Sequence, residues 1–241
     1  MSASGSHGGR QGPADRSNKL ALFDLDHTLL PIDSDYAWGV FTTALGWTDA
    51  EHFARRNEAF YTSYKAGTLD IHDYVRFATD AVRVRGAAAA GAAHAEFMRR
   101  VVQPAIRPEA LDLIAQERSR GAQVVIVTAT NEFVTAPIAA AFGVSQLIAL
   151  ELERGPDGWI TGAIKGVPST GAGKVQRVAQ WLAQRQWAWS DVQSCFYSDS
   201  INDLPLLEKV GRAVATNPDP QLRALALERG WRILDLFEKV Q

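Results

Sequence analysis

The chain has 241 residues, 46% of them hydrophobic and 22% charged, and carries a formal net charge of −2. That length suits one large domain or a core with a modest second domain, and the balance of apolar and charged residues argues against a disordered or membrane-embedded chain. No long Lys/Arg run supplies the basic footprint that nucleic acid or anionic lipid would require, so neither is expected as a partner. The single cysteine, Cys195, rules out an intrachain disulfide and suits a reducing, cytoplasmic setting; its apolar neighbours make it a core residue. Residues Met1 to Asn18 are rich in Ser, Gly and Arg, lack the apolar segment of a secretory signal, and read as a flexible tail. The most apolar window, Phe133 to Leu150, is broken by Pro137, Gly143, Ser145 and Gln146 and cannot form an uninterrupted membrane span.

In chain order, the first apolar run, Leu20 to Phe23, predicts a buried strand. From about Asp33 to Gln103 no strand pattern follows; apolar residues at Phe53, Phe60 and Tyr64, then at Ile71, Tyr74, Val75 and Phe77, give helices with one face to bury. The alanine-rich stretch Ala87 to Ala93 predicts a plain helix interrupted at Gly91. Beyond Pro104 to Pro108 the pattern changes to helix and strand in alternation. Helices are expected over Pro108 to Arg120, Lys174 to Gln186 and Pro220 to Arg229, with Gly121 and Gly230 as left-handed caps of the first and last. Strands are expected at Val124–Val127, Leu147–Leu150, Ser194–Tyr197, Ala213–Ala215 and Arg232–Leu234. Leu147 to Glu153 and Trp159 to Ile164, joined through Gly155-Pro156-Asp157-Gly158, have the look of a hairpin. The expected fold is therefore α/β: a Rossmann-like parallel sheet with helices on both faces and an inserted all-helical domain. The boundaries are a tail at 1–18, a core at 19–32 and 106–241, and a helical insertion at 33–105.

The chemistry gathers at strand ends. Asp24-Leu25-Asp26-His27-Thr28 places two carboxylates just beyond the first strand, where the ligand crevice of an open parallel sheet forms. An isolated Asp-x-Asp is most simply a solvated, capped turn. The second strand, however, runs out at Thr128-Ala129-Thr130-Asn131, and the strand ending at Tyr197 at Ser198-Asp199-Ser200-Ile201-Asn202-Asp203. Lys174 opens a helix after the loop Ser169 to Gly173 and can project toward the same crevice.

These elements, in this order, resemble the four motifs of the haloacid dehalogenase superfamily, in its phosphoserine-phosphatase-like branch, over nearly the whole chain after Asn18. The resemblance makes the helical insertion a cap and implies a phosphatase acting on a small phosphorylated metabolite. It implies Asp24 as nucleophile, Asp26 as general acid and base, and Mg2+ held by Asp24, Asp199 and the Asp26 carbonyl. Thr128 and Lys174 would hold the phosphate, with Asn202 completing the last motif and Asp203 orienting Lys174 or a metal-bound water. The charge logic agrees, because a carboxylate can attack a doubly anionic ester only where cations offset the repulsion.

Several residues keep two readings. His27 stands where the family often has Gly or Ser, and is either a structurally bonded loop residue or a substrate contact. Thr130 and Asn131 either donate to the phosphate or cap the helix that begins near Glu132. Asp33 and Asp35 either contact a substrate amine, as in phosphoserine or histidinol phosphate, or cap the helix beginning near Tyr36. Transfer of the phosphoryl group to an acceptor other than water stays open. A P-loop nucleotide hydrolase is a poor match to Ser169–Lys174, because Pro168 and Val175 replace the Gly and Ser/Thr that loop needs and no buried strand directly precedes it. The oligomeric state is not legible.

Overall fold

The computed structural model describes residues 18–237. The expected tail falls outside them except for Asn18, which already begins the first strand, β1 (Asn18–Phe23). The helices α1 (Ser34–Ala44), α2 (Ala50–Lys65) and α3 (Ile71–Phe97) follow, then a π-helical turn at Met98–Val102, α4 (Gln103–Ala105) and α5 (Pro108–Ser119). The rest of the chain alternates: β2 (Ala122–Asn131), α6 (Glu132–Ala141), β3 (Leu147–Leu150), β4 (Leu152–Arg154), β5 (Ile160–Ile164), α7 (Ala172–Ala183), β6 (Val192–Ser198), α8 (Leu204–Leu207), β7 (Arg212–Thr216), α9 (Pro220–Arg229) and β8 (Arg232–Leu234).

Six strands form one sheet in the order β3-β2-β1-β6-β7-β8, and every neighbouring pair is parallel. Alternate residues point to opposite faces of a strand. Leu20, Leu22, Val125, Val127 and Phe196 therefore pack on Val178 and Leu182 of α7, Leu206 of α8 and Leu222 of α9. Ala21, Phe23, Val124, Ile126 and Tyr197 face Leu113 and Ile114 of α5, Val134 and Ile138 of α6, and the buried residues of the insertion. Burial on both faces explains the near-continuous apolar runs. Among the described residues no helix is long and apolar enough to cross a membrane.

Two local expectations need correction. The hairpin does not begin at Leu147: Leu147–Leu150 is the edge strand of the main sheet, and only β4 pairs antiparallel with β5. Ile148, Ala149 and Leu150 are all buried, as a sheet strand flanked on both faces requires, and the alternating hairpin pattern starts after Glu151. In α3 the interruption is at Gly86, not Gly91. Gly86 has φ 77° and ψ 169°, a left-handed excursion that breaks the helix in two, whereas Gly91 stays helical.

A buried acid ties the faces together. Glu117 of α5 accepts hydrogen bonds from the Tyr197 hydroxyl (2.6 Å), Arg120 (2.6 Å) and Arg212 (3.0 Å). Burial works against its charge, but these donors outweigh it and hold the carboxyl below its usual range. Tyr197 in turn stacks on Phe23, ring centroids 4.5 Å apart, so α5, β6 and β1 share one anchor. Neighbouring Cys195 is a buried free cysteine, its thiol pushed up to about 11 by burial. Glu117→Ala should cost about 1–3 kcal/mol, because the buried Tyr197 hydroxyl loses its acceptor. Urea unfolding at unchanged m-value checks this, and a midpoint equal to wild type would contradict it.

Candidate active site

Parallel strands that all point one way deliver their C-terminal ends to a common edge, and here β1, β2 and β6 are adjacent. Asp24 and Asp26 follow β1, Thr128 and Thr130 lie near the end of β2, and Asp199 to Asp203 follow β6. Lys174 arrives on the first turn of α7. Its ammonium is buried and donates at 2.7 Å to Asp24 Oδ1 and at 2.7 Å to Asp203 Oδ2. Asp203 Oδ2 also accepts from the Ser198 hydroxyl at 2.7 Å.

The approach of Lys174 depends on a glycine. A Cβ on Gly173 would stand 2.0 Å from the Pro168 carbonyl oxygen, so only a bare backbone can pass there. Ser169, fully buried, donates its hydroxyl to the Thr128 carbonyl at 2.6 Å and fastens this loop to the end of β2. The Gly-x-Gly-Lys pattern thus follows the β4–β5 hairpin rather than a central strand; Gly173 serves close packing and Gly171 a positive φ of 50°.

Each carboxylate has its own supports. Asp26 accepts from the Ser34 N–H at 2.8 Å and from the Thr130 hydroxyl at 2.9 Å. Thr28 and Asp199 bond reciprocally: the Thr28 hydroxyl donates to Asp199 Oδ1, and the Asp199 N–H donates to Thr28 Oγ1, both at 3.0 Å. The loop after β6 is held by Asp219, whose carboxylate accepts the Ile201 N–H at 2.7 Å. Thr128 is buried, and its Oγ1 accepts the Thr130 N–H at 3.1 Å, which leaves the Thr128 proton for a ligand. Asn202, half-buried, is the residue after Ile201 in this loop, and its N–H donates to Ser200 Oγ at 3.2 Å.

The crevice is short of positive charge. Burial, then the repulsion of Asp203 against the pull of Lys174, leaves Asp24 raised to about 6. Burial and the charge of Asp33 push Asp26 up to about 8, and burial and the charge of Asp24 push Asp199 up to about 9. For Lys174, burial opposes the charge, but Asp203 and Asp24 outweigh it and hold the ammonium above its ordinary range. Lys174 takes Oδ1 of Asp24 and Thr28 takes Oδ1 of Asp199, and backbone N–H groups of Leu25 and Asp199 add to the support of the two carboxylates. No group of three or more His, Cys, Asp or Glu side chains among the described residues is placed to hold a metal alone. Two neighbouring carboxylates, Asp24 and Asp199, suit a hard cation that keeps several waters, and do not suit a closed protein cage.

The residues with two readings separate here. His27 is exposed with φ 57°, and its carbonyl accepts the Asn217 amide at 2.9 Å. Asn131 caps α6 by accepting the Val134 N–H, while Thr130 turns to Asp26. Asp33 is exposed and caps α1 by accepting the Tyr36 N–H at 2.9 Å. Asp35 is buried, accepts from the Tyr74 hydroxyl at 2.6 Å and the Asn131 amide at 3.4 Å, and is pushed up to about 6, chiefly by burial. Of the supports Ser34, Ser169, Ser198 and Asp219, the three serines carry no local signal of this role in the sequence. Only Asp219, placed just before Pro220 at a helix start, carries a local signal.

Gly173→Ala should lower stability by about 1–3 kcal/mol, the scale of forced overpacking, because backbone and not a flexible side chain meets the added methyl. Gly91→Ala, helical with open space around it, should be neutral or stabilising. Equal unfolding midpoints for the two variants would contradict the close approach.

A family model described as haloacid dehalogenase-like hydrolase matches residues 21–208. A histidinol-phosphatase of Neisseria meningitidis is 39% identical over 217 residues, covering 90% of this chain and 98% of that protein. Phosphoserine phosphatase SerB1 of Mycobacterium tuberculosis is 33% identical over 230 residues, 94% of this chain and 73% of that protein. The crystal structure of a Bordetella pertussis protein has a TM-score of 0.86 at 47% identity, covering 92% of this chain and 100% of that one. A substrate-bound phosphoserine phosphatase shares the fold at a TM-score of 0.62 and 16% identity, covering 90% and 93%. With its strand-end carboxylates, buried lysine and matched length, the chain belongs to the haloacid dehalogenase-like hydrolase family.

Proposed function

We propose that this chain is a Mg2+-dependent phosphatase that hydrolyses a small phosphate monoester through an aspartyl phosphate on Asp24. The observation that carries the reading is the buried Lys174 ammonium, 2.7 Å from both Asp24 and Asp203, beside a second acid, Asp26, fixed by two donors. Asp24 attacks phosphorus and the ester P–O bond breaks, while Asp26 gives its proton to the leaving alkoxide. A water then attacks the same phosphorus, Asp26 takes its proton, and the Asp24 carboxylate is released with phosphate. Lys174 and the free proton of the Thr128 hydroxyl hold phosphate oxygens, as does Asn202; Asp203 keeps Lys174 in place.

Asp24, Asp199 and the Asp26 carbonyl are the proposed Mg2+ ligands, and the chemistry a bound Mg2+ supplies is neutralisation of the phosphate charge facing Asp24. Division of the chain into a core at 19–32 and 106–241 and a cap at 33–105 is part of the same reading. The phosphatase relatives favour water as acceptor over transfer to another substrate. A P-loop hydrolase is disfavoured by the hairpin that precedes Ser169.

For the substrate we propose an amino-alcohol phosphate. The relative matched along 98% of its own length is a histidinol-phosphatase, which puts histidinol phosphate ahead of phosphoserine. Asp33, close enough for its charge to raise Asp26, and the buried Asp35 give that side of the crevice two acids for an ammonium group. The reading places the enzyme in the cytoplasm.

Phosphate release should vanish on chelation, return with Mg2+, and be inhibited by Ca2+, whose looser and larger coordination suits an in-line attack poorly. Asp24→Asn should fold with an unchanged circular dichroism spectrum and lose essentially all turnover on an aryl phosphate. Full activity after exhaustive chelation, or most activity retained in Asp24→Asn, would remove the mechanism.

Asp33→Asn and Asp35→Asn separate the amine contact from the capping role. Loss of the contact should lower kcat/KM for histidinol phosphate while sparing an uncharged aryl phosphate. Equal losses on both esters in both variants would refute amine recognition and leave the core chemistry standing.

A further inference from the structure

The helical insertion is fastened to one side of the crevice. The Ser34 N–H donates to Asp26, the Asn131 amide reaches Asp35, and the buried His94 imidazole donates to the Val134 carbonyl at 3.0 Å. These contacts tie α1 and α3 to the loop after β1, to the end of β2 and to α6. Helix α2 crosses to the other side. Near its C-terminal end the Tyr64 hydroxyl lies 3.3 Å from Ser200 Oγ, 136 positions away in the loop after β6. The Asn202 side chain and the charges of Asp203 and Lys174 act on the same phenol, which places it beside the lysine pair.

Packing within the insertion does not call for an aromatic ring at this position. The neighbouring Phe60 fills the interior, with its ring 5.4 Å from Tyr74 and 5.2 Å from Phe77, whereas Tyr64 stays 40% exposed. Ser200 Oγ already accepts the Asn202 N–H at 3.2 Å, so the loop presents a fixed partner and the phenol comes to it from the helix. The crevice is thus walled toward β2 by Asp35 and Asn131, and it is bridged toward β6 by Tyr64.

We propose that Tyr64 is a specificity-determining residue, whose ring bridges the mouth of the phosphate site and, tethered through its hydroxyl to Ser200, restricts that site to small phosphate esters. The proposal rests on the phosphatase reading above. A bulky ester has to displace the ring, whereas a small one fits beneath it and is shielded from water by it. Burial raises the phenol above its ordinary range, so it stays neutral and a hydrogen-bond donor at working pH.

The test compares wild type, Tyr64→Ala and Tyr64→Phe on histidinol phosphate and on 1-naphthyl phosphate with Mg2+ present. Hydrogen exchange of residues 50–65, measured with inorganic phosphate and Mg2+, runs alongside. Tyr64→Ala should raise the naphthyl-to-histidinol ratio of kcat/KM by about 10-fold or more, mainly through a lower KM for 1-naphthyl phosphate. Tyr64→Phe should keep most of the size discrimination yet exchange faster across α2. A ratio within twofold of wild type in Tyr64→Ala would overturn the size filter, and unchanged exchange in Tyr64→Phe would overturn the hydroxyl tether. If wild type hydrolyses neither ester, the phosphatase reading fails by itself, and the exchange comparison still decides the tether.

Discussion

Everything at this site is arranged around one buried ammonium. Lys174 is almost fully shielded from water and meets two carboxylates at 2.7 Å. Taking such charges out of water costs several kcal/mol per ion, and a well-packed apolar substitute is often as stable or more so. A buried pair of this kind is therefore poor evidence of stability and better evidence of a task. The surroundings strengthen that inference, since Asp24 and Asp203 meet the lysine while Asp26 and Asp199 lie close enough to Asp24 to feel its charge. Burial raises Asp24, Asp26 and Asp199 above the usual carboxylate range, which marks a crevice short of positive charge. The proposed metal would relieve it with positive charge.

The sheet makes that convergence possible. Because β2, β1 and β6 are neighbours and run the same way, residues 24–28, 128–131 and 198–203 emerge side by side although the chain places them far apart. The register is fixed by alternate burial on two faces, and a one-residue slip would turn every core side chain to the wrong layer. Glu117 reinforces the same strands, since Tyr197 both donates its hydroxyl to that carboxylate and immediately precedes Ser198 and Asp199. The lysine needs a separate route, and the hairpin with its tight Gly173 passage brings it to the same edge from beyond β3.

Much of this was legible in the sequence for a physical reason. Strand ends announce themselves where apolar runs stop at Asp24, Thr128 and Asp199, and the long gap in strand pattern marks the helices from Ser34 onward. Local signals failed where local energies were nearly equal. Gly86 and Gly91 look alike in the sequence, yet only the fold requires a left-handed residue at the first. The start of the hairpin was misplaced because Leu147–Leu150 and Leu152–Arg154 join with a single intervening residue, and only burial separates them. Ser34, Ser169 and Tyr64 were beyond reach altogether, since their partners lie 8, 41 and 136 positions away and no periodicity encodes such meetings.

In the proposed reading, Asp35 couples substrate recognition to the placement of the helices. It sits on α1, yet its oxygens are held by Tyr74 from α3 and by Asn131 at the end of β2, so the carboxylate is a junction between the helices and the sheet. Asn131 also caps α6 and belongs to the strand that carries Thr128. A shift of the helices would therefore move Asp35 relative to Thr128, and a charge drawn to Asp35 would favour the seated arrangement over others. A ligand can shift such an equilibrium only by its difference in affinity for the two states. In the proposed reading, an ammonium group drawn to the buried Asp35 provides such a difference, whereas an aryl ester of the same phosphate does not. Selectivity for an amine and seating of the helices over the crevice would then follow from that single proposed contact.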